Sequence, residues 1–197
     1  MKKYKEKYKN TVCYHPDKKN CKGKLKDCHT IQNNKILNKL AVNGKVFMFS
    51  SNVTLEAYKD FFECEEGDNI DKPCVVFDQM FQEIGRNYAT TFKGFCDYHD
   101  TVVFQDIETR NFNRETIQFF EYAYRGLTHR LYERKKSLSL IRYQVTTMSG
   151  DELRNENKKT GYLGRLKLEE LGISDLEKEK TIFDNAIMTQ NYDIVVT

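Results

Sequence analysis

Residues 89–100 read Ala-Thr-Thr-Phe-Lys-Gly-Phe-Cys-Asp-Tyr-His-Asp, and the pair inside that run decides how the first half of the chain folds. Cys96 and His99 are separated by two residues. That spacing lets one turn of backbone present a thiolate and an imidazole to a single ion. Gly94, just ahead of the pair, permits a sharp turn. Zinc takes four nitrogen or sulfur ligands in a tetrahedron, and two sequence-distant pairs are the usual supply.

Residues 11–29 hold the second pair, Cys13 and Cys21, separated by seven residues, wider than a tight knuckle. This stretch has little hydrophobic periodicity and cannot build an apolar core. A bound ion takes the place of that core, and metal binding becomes folding energy. The expected ligands of a structural zinc ion are therefore Cys13, Cys21, Cys96 and His99. Cys28 competes with Cys21, His15 lies close to Cys13, and His29 is a further candidate ligand. Cys64 and Cys74 read as unliganded buried thiols.

Composition bounds the rest. A chain of 197 residues fits one ordinary domain, or a small module with a helical extension. No apolar run approaches the ~20 residues of a membrane span. The lysine-rich start has no apolar stretch behind it, so it is not read as a secretory signal. The expected location is cytoplasmic, with no membrane partner. Six cysteines there point to metal binding before disulfides.

The net charge of +3 conceals an asymmetry. Residues 1–45 carry thirteen lysines against three acids, and residues 46–109 carry four basic residues against thirteen acids. A basic first segment can approach nucleic acid by neutralising phosphates, or it can be a solvated lysine-rich surface.

Outside the ligand segments, periodicity predicts the elements. Residues 30–42 place Ile31, Ile36, Leu37, Leu40 and Ala41 at helical spacing, and Asn43-Gly44 ends that helix. Residues 45–50 read as a strand, as do residues 74–77, with an ambiguous stretch at 52–62 and an acidic loop at 63–73. Residues 79–87 are expected to form a turn or short helix. The clearest element is a helix over 113–136. Asn113 is its expected N-cap, and Ile117, Phe120, Tyr124, Leu127 and Leu131 recur at three- and four-residue intervals. Helix continues over 137–148, with more at 151–159 and 175–190, and residues 192–197 read as a closing strand.

Two segments resemble a family of poorly characterised bacterial zinc-binding proteins. One is Cys28-His29-Thr30-Ile31-Gln32, preceded by Cys13 and Cys21; the other is residues 89–100. That family carries a cysteine pair, a (Ser/Cys)-His-x-Ile segment and a Gly-Phe-Cys-x-x-His-Asp segment. Residues 120–125, Phe-Glu-Tyr-Ala-Tyr-Arg, resemble the same group, so the resemblance spans residues 13–136.

The motif order is also distantly similar to HNH endonucleases with a treble-clef zinc site. That similarity implies structural zinc on the four ligands and His29 as a catalytic general base that activates water. It further implies a second divalent cation held with help from Asp100 or Glu108, phosphodiester hydrolysis, and a role such as phage defence. The chain departs from the pattern in having Cys28 rather than Asp before His29, and an acidic insertion over 56–78.

The expected architecture is α+β: a treble-clef-like zinc module over 1–110, then a mostly helical segment over 111–197 ending in a strand. Two functions follow. One is a non-enzymatic zinc module that binds a protein partner, or itself, through the 113–136 helix. The other is an HNH-like nuclease that meets nucleic acid through residues 1–45.

Overall fold

The computed structural model describes residues 8–49, 81–149 and 156–195. The strand expected at 74–77, the stretches 52–62 and 63–73, Cys64, Cys74 and the start of the helix expected at 151–159 lie outside the described residues. The chain is α+β and divides into two compact units: Met1–Thr30 with Phe92–Thr197, and Ile31–Thr91. No helix among the described residues is long and apolar enough to cross a membrane.

The first unit is built on aromatic residues. After the short strand β1 (Cys28–His29) the chain leaves this unit, and it returns through β4 (Thr91–Phe92). Two short helices follow, α2 (Asp97–Val103) and α3 (Gln105–Thr109), and then two long ones, α4 (Thr116–Thr146) and α5 (Glu156–Thr189). Phe95, Phe104, Phe120 and Tyr124 are fully buried, with Phe183 and Tyr192 packed against them. The Phe95 ring meets Phe104 at 5.0 Å and Tyr124 at 5.7 Å, and Phe120 meets Phe183 at 5.2 Å. These tilted and edge-on geometries suit the aromatic quadrupole better than face-to-face stacking.

The packing runs across the boundary expected at residue 110. Phe104 and Ile107, before it, share one core with Phe120 and Tyr124 after it. The ligand segments and the long helices are therefore one unit, and residues 31–91 form the separate one.

Residues 113–136 and 137–148 are largely one helix, α4, which begins at Thr116 rather than at Asn113. Arg114 has a left-handed backbone (φ 64°), which keeps the helix from starting there. Buried Gln118 takes over the turn: its Oε1 accepts from the Asn113 amide at 2.9 Å and its Nε2 donates to the Asn111 carbonyl at 2.8 Å.

α5 runs antiparallel to α4. Its half-buried positions include Tyr162, Leu166, Glu169, Ile173, Leu176, Lys180, Phe183 and Ile187, with Gly172 and Asp184 beside them. The first eight alternate four- and three-residue steps, the seam of a coiled-coil pair. Two of them are charged, and both are satisfied. Glu169 accepts from Arg134 at 2.9 Å and from Ser137 at 3.0 Å, while Lys180 pairs with Asp184 at 2.6 Å. Polar positions inside an apolar seam fix register, because a shift would strand them.

The closing strand expected at 192–197 is not formed over its described part, where Asp193–Val195 makes a single 3-10 turn. The Asn191 amide bonds back to the Ala186 carbonyl at 3.1 Å, and Tyr192 packs its ring on Phe120 at 4.8 Å. Core packing by Tyr192 wins over a strand that lacks a partner.

The second unit holds a hairpin of β2 (Lys45–Phe49) and β3 (Phe81–Gly85), antiparallel, with Val46 opposite Ile84. Residues 81–85 are thus strand, against the turn or short helix expected at 79–87. Ile84 packs beside Val46 on the inner side, and the Phe81 ring sits 4.8 Å from Phe49. Asn43 and Gly44 both have positive φ, the pair a tight turn requires. The helix expected over 30–42 is a widened turn, Asn33–Leu37, running into a short α1 (Asn38–Leu40). Leu37, Val46 and Ala89 form the small core.

One buried acid ties α3 to α4. Glu121 accepts from the Ile107 amide at 2.9 Å and the Asp106 amide at 3.4 Å. Burial pushes its carboxyl up to about 7. The folded chain therefore holds this proton more tightly than the unfolded one, where a glutamate titrates near 4.3. The stability it contributes is complete below the unfolded value and is lost as pH rises through about 7. In urea unfolding at saturating zinc, wild type should lose on the order of 2 kcal/mol relative to Glu121→Gln between pH 5 and 8. A constant difference across that range would show that the carboxyl titrates alike in both states.

Candidate metal centre

Three stretches of backbone converge on the site. The Tyr14 amide donates to the Gly94 carbonyl at 2.7 Å and the Lys26 amide to the Phe95 carbonyl at 2.9 Å. The Asp97 amide donates to the Lys24 carbonyl at 3.1 Å. Cys13 and Cys96 are thereby fixed side by side. Between Cys13 and Cys21 the chain turns on Asp17, whose carboxylate accepts from the amides of Lys19 at 3.1 Å and Asn20 at 3.3 Å. This side chain–backbone turn aims Cys21 back at the site. Lys18 donates its ammonium to the Cys13 carbonyl.

The second pair rides on a helix start. Cys96 is extended (φ −75°, ψ 163°) and precedes α2, and His99 lies in the first turn. A thiolate at this position meets free amides and the positive end of the helix.

The four side chains meet as expected from their spacing. Nδ1 of His99 lies 3.5 Å from Cys13 Sγ, 3.6 Å from Cys21 Sγ and 3.3 Å from Cys96 Sγ. All four ligand atoms lie within 4.8 Å of one another. A tetrahedron with Zn–S of about 2.3 Å and Zn–N of about 2.0–2.1 Å has an S···N edge of about 3.6 Å. Cys13, Cys21, Cys96 and His99 are thus placed to bind a metal ion. Cys13, Cys96 and His99 are buried and Cys21 is exposed.

Burial pushes the Cys13 thiol up to about 11. At Cys96 burial acts the same way, but the amides of His99 and Lys22 outweigh it and hold the thiol below its usual range. Burial lowers His99, which leaves a neutral imidazole able to donate a lone pair. A divalent ion among these groups reverses the cost of the buried thiolates.

The competing ligands fall elsewhere. His15 is buried and stacks on His99 with centroids 3.8 Å apart and planes 14° apart. Its Nδ1 accepts from the Asp17 amide at 3.1 Å. Burial, reinforced by His99, brings it down to about 4, so it is neutral. The sequence flagged His15 only for its nearness to Cys13; nothing in the spacing announces a stack. Cys28 is fully buried and directs its sulfur at the carbonyls of Lys26 (3.5 Å) and Phe95 (4.0 Å).

His29 lies on β1, half-buried and outside the four-ligand group. Asp100 pairs with Lys26 at 3.3 Å, and Glu108 pairs with buried Arg125 at 2.6 Å. Among the described residues, no second group of three or more His, Cys, Asp or Glu side chains converges in this way.

Comparison with protein-family models, with curated proteins and with solved structures finds no match for this chain.

Gly94 has a sharper role than permitting a turn. A Cβ there would sit 3.0 Å from Cδ2 of Phe92, closer still to its Cε2, and 3.2 Å from Cδ2 of Tyr14. Both rings are buried and cannot swing away. Gly94→Ala should therefore cost about 1–3 kcal/mol of stability by overpacking and weaken metal retention in a chelator competition. A variant with wild-type stability and metal affinity would show that the Phe92 ring can yield.

Proposed function

We propose that the chain is a non-enzymatic, zinc-stabilised interaction module that works inside a bacterial cell. The observation that carries this reading is the closure of the site. Four protein ligands fill the tetrahedron of a zinc ion and leave no position for water or substrate, the mark of a structural rather than a catalytic zinc. Three cysteine ligands and one histidine suit zinc over harder cations, which prefer oxygen. Thiolate ligands also favour a reducing compartment such as the cytoplasm. Placing the second ligand pair at the start of α2 supports the treble-clef-like reading of the module.

The interaction surface would lie at the start of the helix expected over 113–136. Most of α4 is engaged by α5 and by the core, but Phe112 and Phe119 stay 52% and 38% exposed. The Phe112 ring packs on Phe119 at 5.4 Å and on Tyr122 at 5.9 Å, which makes an aromatic patch. Aromatic anchors of this kind are enriched in protein interfaces. The nuclease alternative needs His29 beside a second divalent ion, and the pairing of Asp100 and Glu108 with basic side chains counts against those two as its ligands.

Metal analysis of protein purified without chelator should find one zinc per chain in wild type and in His29→Ala, and none retained in Cys96→Ser. A structural zinc site is worth about 10–16 kcal/mol in small peptides, comparable to the whole stability of a domain. Stripping the ion should therefore abolish cooperative unfolding. Wild-type protein without zinc would overturn the proposal. Divalent-dependent cleavage of nucleic acid that disappears in zinc-loaded His29→Ala would replace it with the nuclease.

A further inference from the structure

The face of α5 turned away from α4 carries a second seam. Residues 164, 168, 171, 175, 178, 182, 185 and 189 alternate four- and three-residue steps, and all are exposed. Three are large and apolar: Leu168 (65% exposed), Leu171 (54%) and Ile182 (50%). Between them stand Asp175 and Lys178, whose side chains are about three-quarters exposed. They form an ion pair at 3.0 Å within the helix, which contributes little in water.

We propose that this face pairs antiparallel with the same face of a second copy of the chain. A two-fold axis between residues 176 and 177 sets Leu171 against the partner's Ile182 and Ile182 against the partner's Leu171. The same axis sets Asp175 against the partner's Lys178 and Lys178 against the partner's Asp175. At the centre of the seam apolar meets apolar and each charge meets its opposite, with no second sequence required, while Leu168 at the flank lies against the partner's Asn185. A parallel pairing would instead oppose Asp175 with Asp175 and Lys178 with Lys178, which is repulsive. Such self-complementarity is what a two-fold interface demands, and charge order of this kind selects orientation in coiled coils.

The seam is short, and its ends are Gly164 and Thr189 rather than apolar residues. The dimer is therefore weak, with a dissociation constant on the order of 10–100 μM. It rests on α5 alone and not on the nature of the metal, so its failure would leave the zinc proposal standing.

The test is sedimentation velocity of the full-length zinc-loaded chain from about 1 to 500 μM, a range that brackets that constant. A monomer–dimer shift is expected. Leu171→Glu, on an exposed position, should weaken it at least tenfold while helical content and zinc stoichiometry stay unchanged. Asp175→Lys and Lys178→Asp should each dimerise more weakly than wild type, and an equimolar mixture of the two should recover association, since both interchain pairs reform. A monomer at every concentration, a dimer indifferent to Leu171→Glu, or a mixture no stronger than its components would each overturn the proposal.

Discussion

Three cysteine sulfurs lie 3.3 to 3.6 Å from one imidazole nitrogen, the spacing of ligands around a tetrahedral metal ion. As thiols they are weak hydrogen-bond partners in a buried pocket. As thiolates they repel. A divalent ion held by these groups would tie residues 13–21 to residues 96–99.

The ligands are bracketed by core residues, which carries the clamp into the packing. Tyr14 follows Cys13, and Phe95 precedes Cys96. Their rings meet edge-on at 6.4 Å, and Phe95 continues into Phe104 and Tyr124. The Tyr124 hydroxyl bonds to Asp184 at 3.0 Å, and Asp184 in turn holds Lys180 in the α4–α5 seam. The four candidate ligands, the aromatic core and the helical pair are thus linked through named side chains. An ion held by Cys13 and Cys96 would brace the adjacent Tyr14 and Phe95, and through Phe95 the Tyr124 of α4. Buried Arg125 reinforces the same region, with its guanidinium 4.2 Å over the Phe104 ring and Glu108 closing the pair.

The sequence was legible where chemistry is local or periodicity is long. Cys96-x-x-His99 declares itself because one turn brings both ligands together. α4 and the C-terminal half of α5 are readable because a helical face repeats over many residues. The reading failed where tertiary contacts decide. β3 has no alternation strong enough to outweigh its glycine and glutamate, and it becomes a strand because Val46 and Met48 offer it a partner surface. Tyr192 reads as a strand former until Phe120 supplies a place for its ring. His15 looked like a spare ligand because spacing reports proximity and not orientation. The expectation of a ligand set drawn from distant segments agrees with the placement of Cys13, Cys21, Cys96 and His99.

That separation costs the fold little. The ligand pairs are divided by residues 22–95, which include the whole second unit. Closing a loop of n residues costs entropy that grows only as the logarithm of n, so doubling the loop adds about 0.6 kcal/mol. The inserted unit has its own small core of Leu37, Val46 and Ala89. What the site does need is local: the Asp17 turn, the bare backbone at Gly94, and the amides at the start of α2. Those features occupy a few residues on either side of the insertion, and each is fixed by contacts within the first unit.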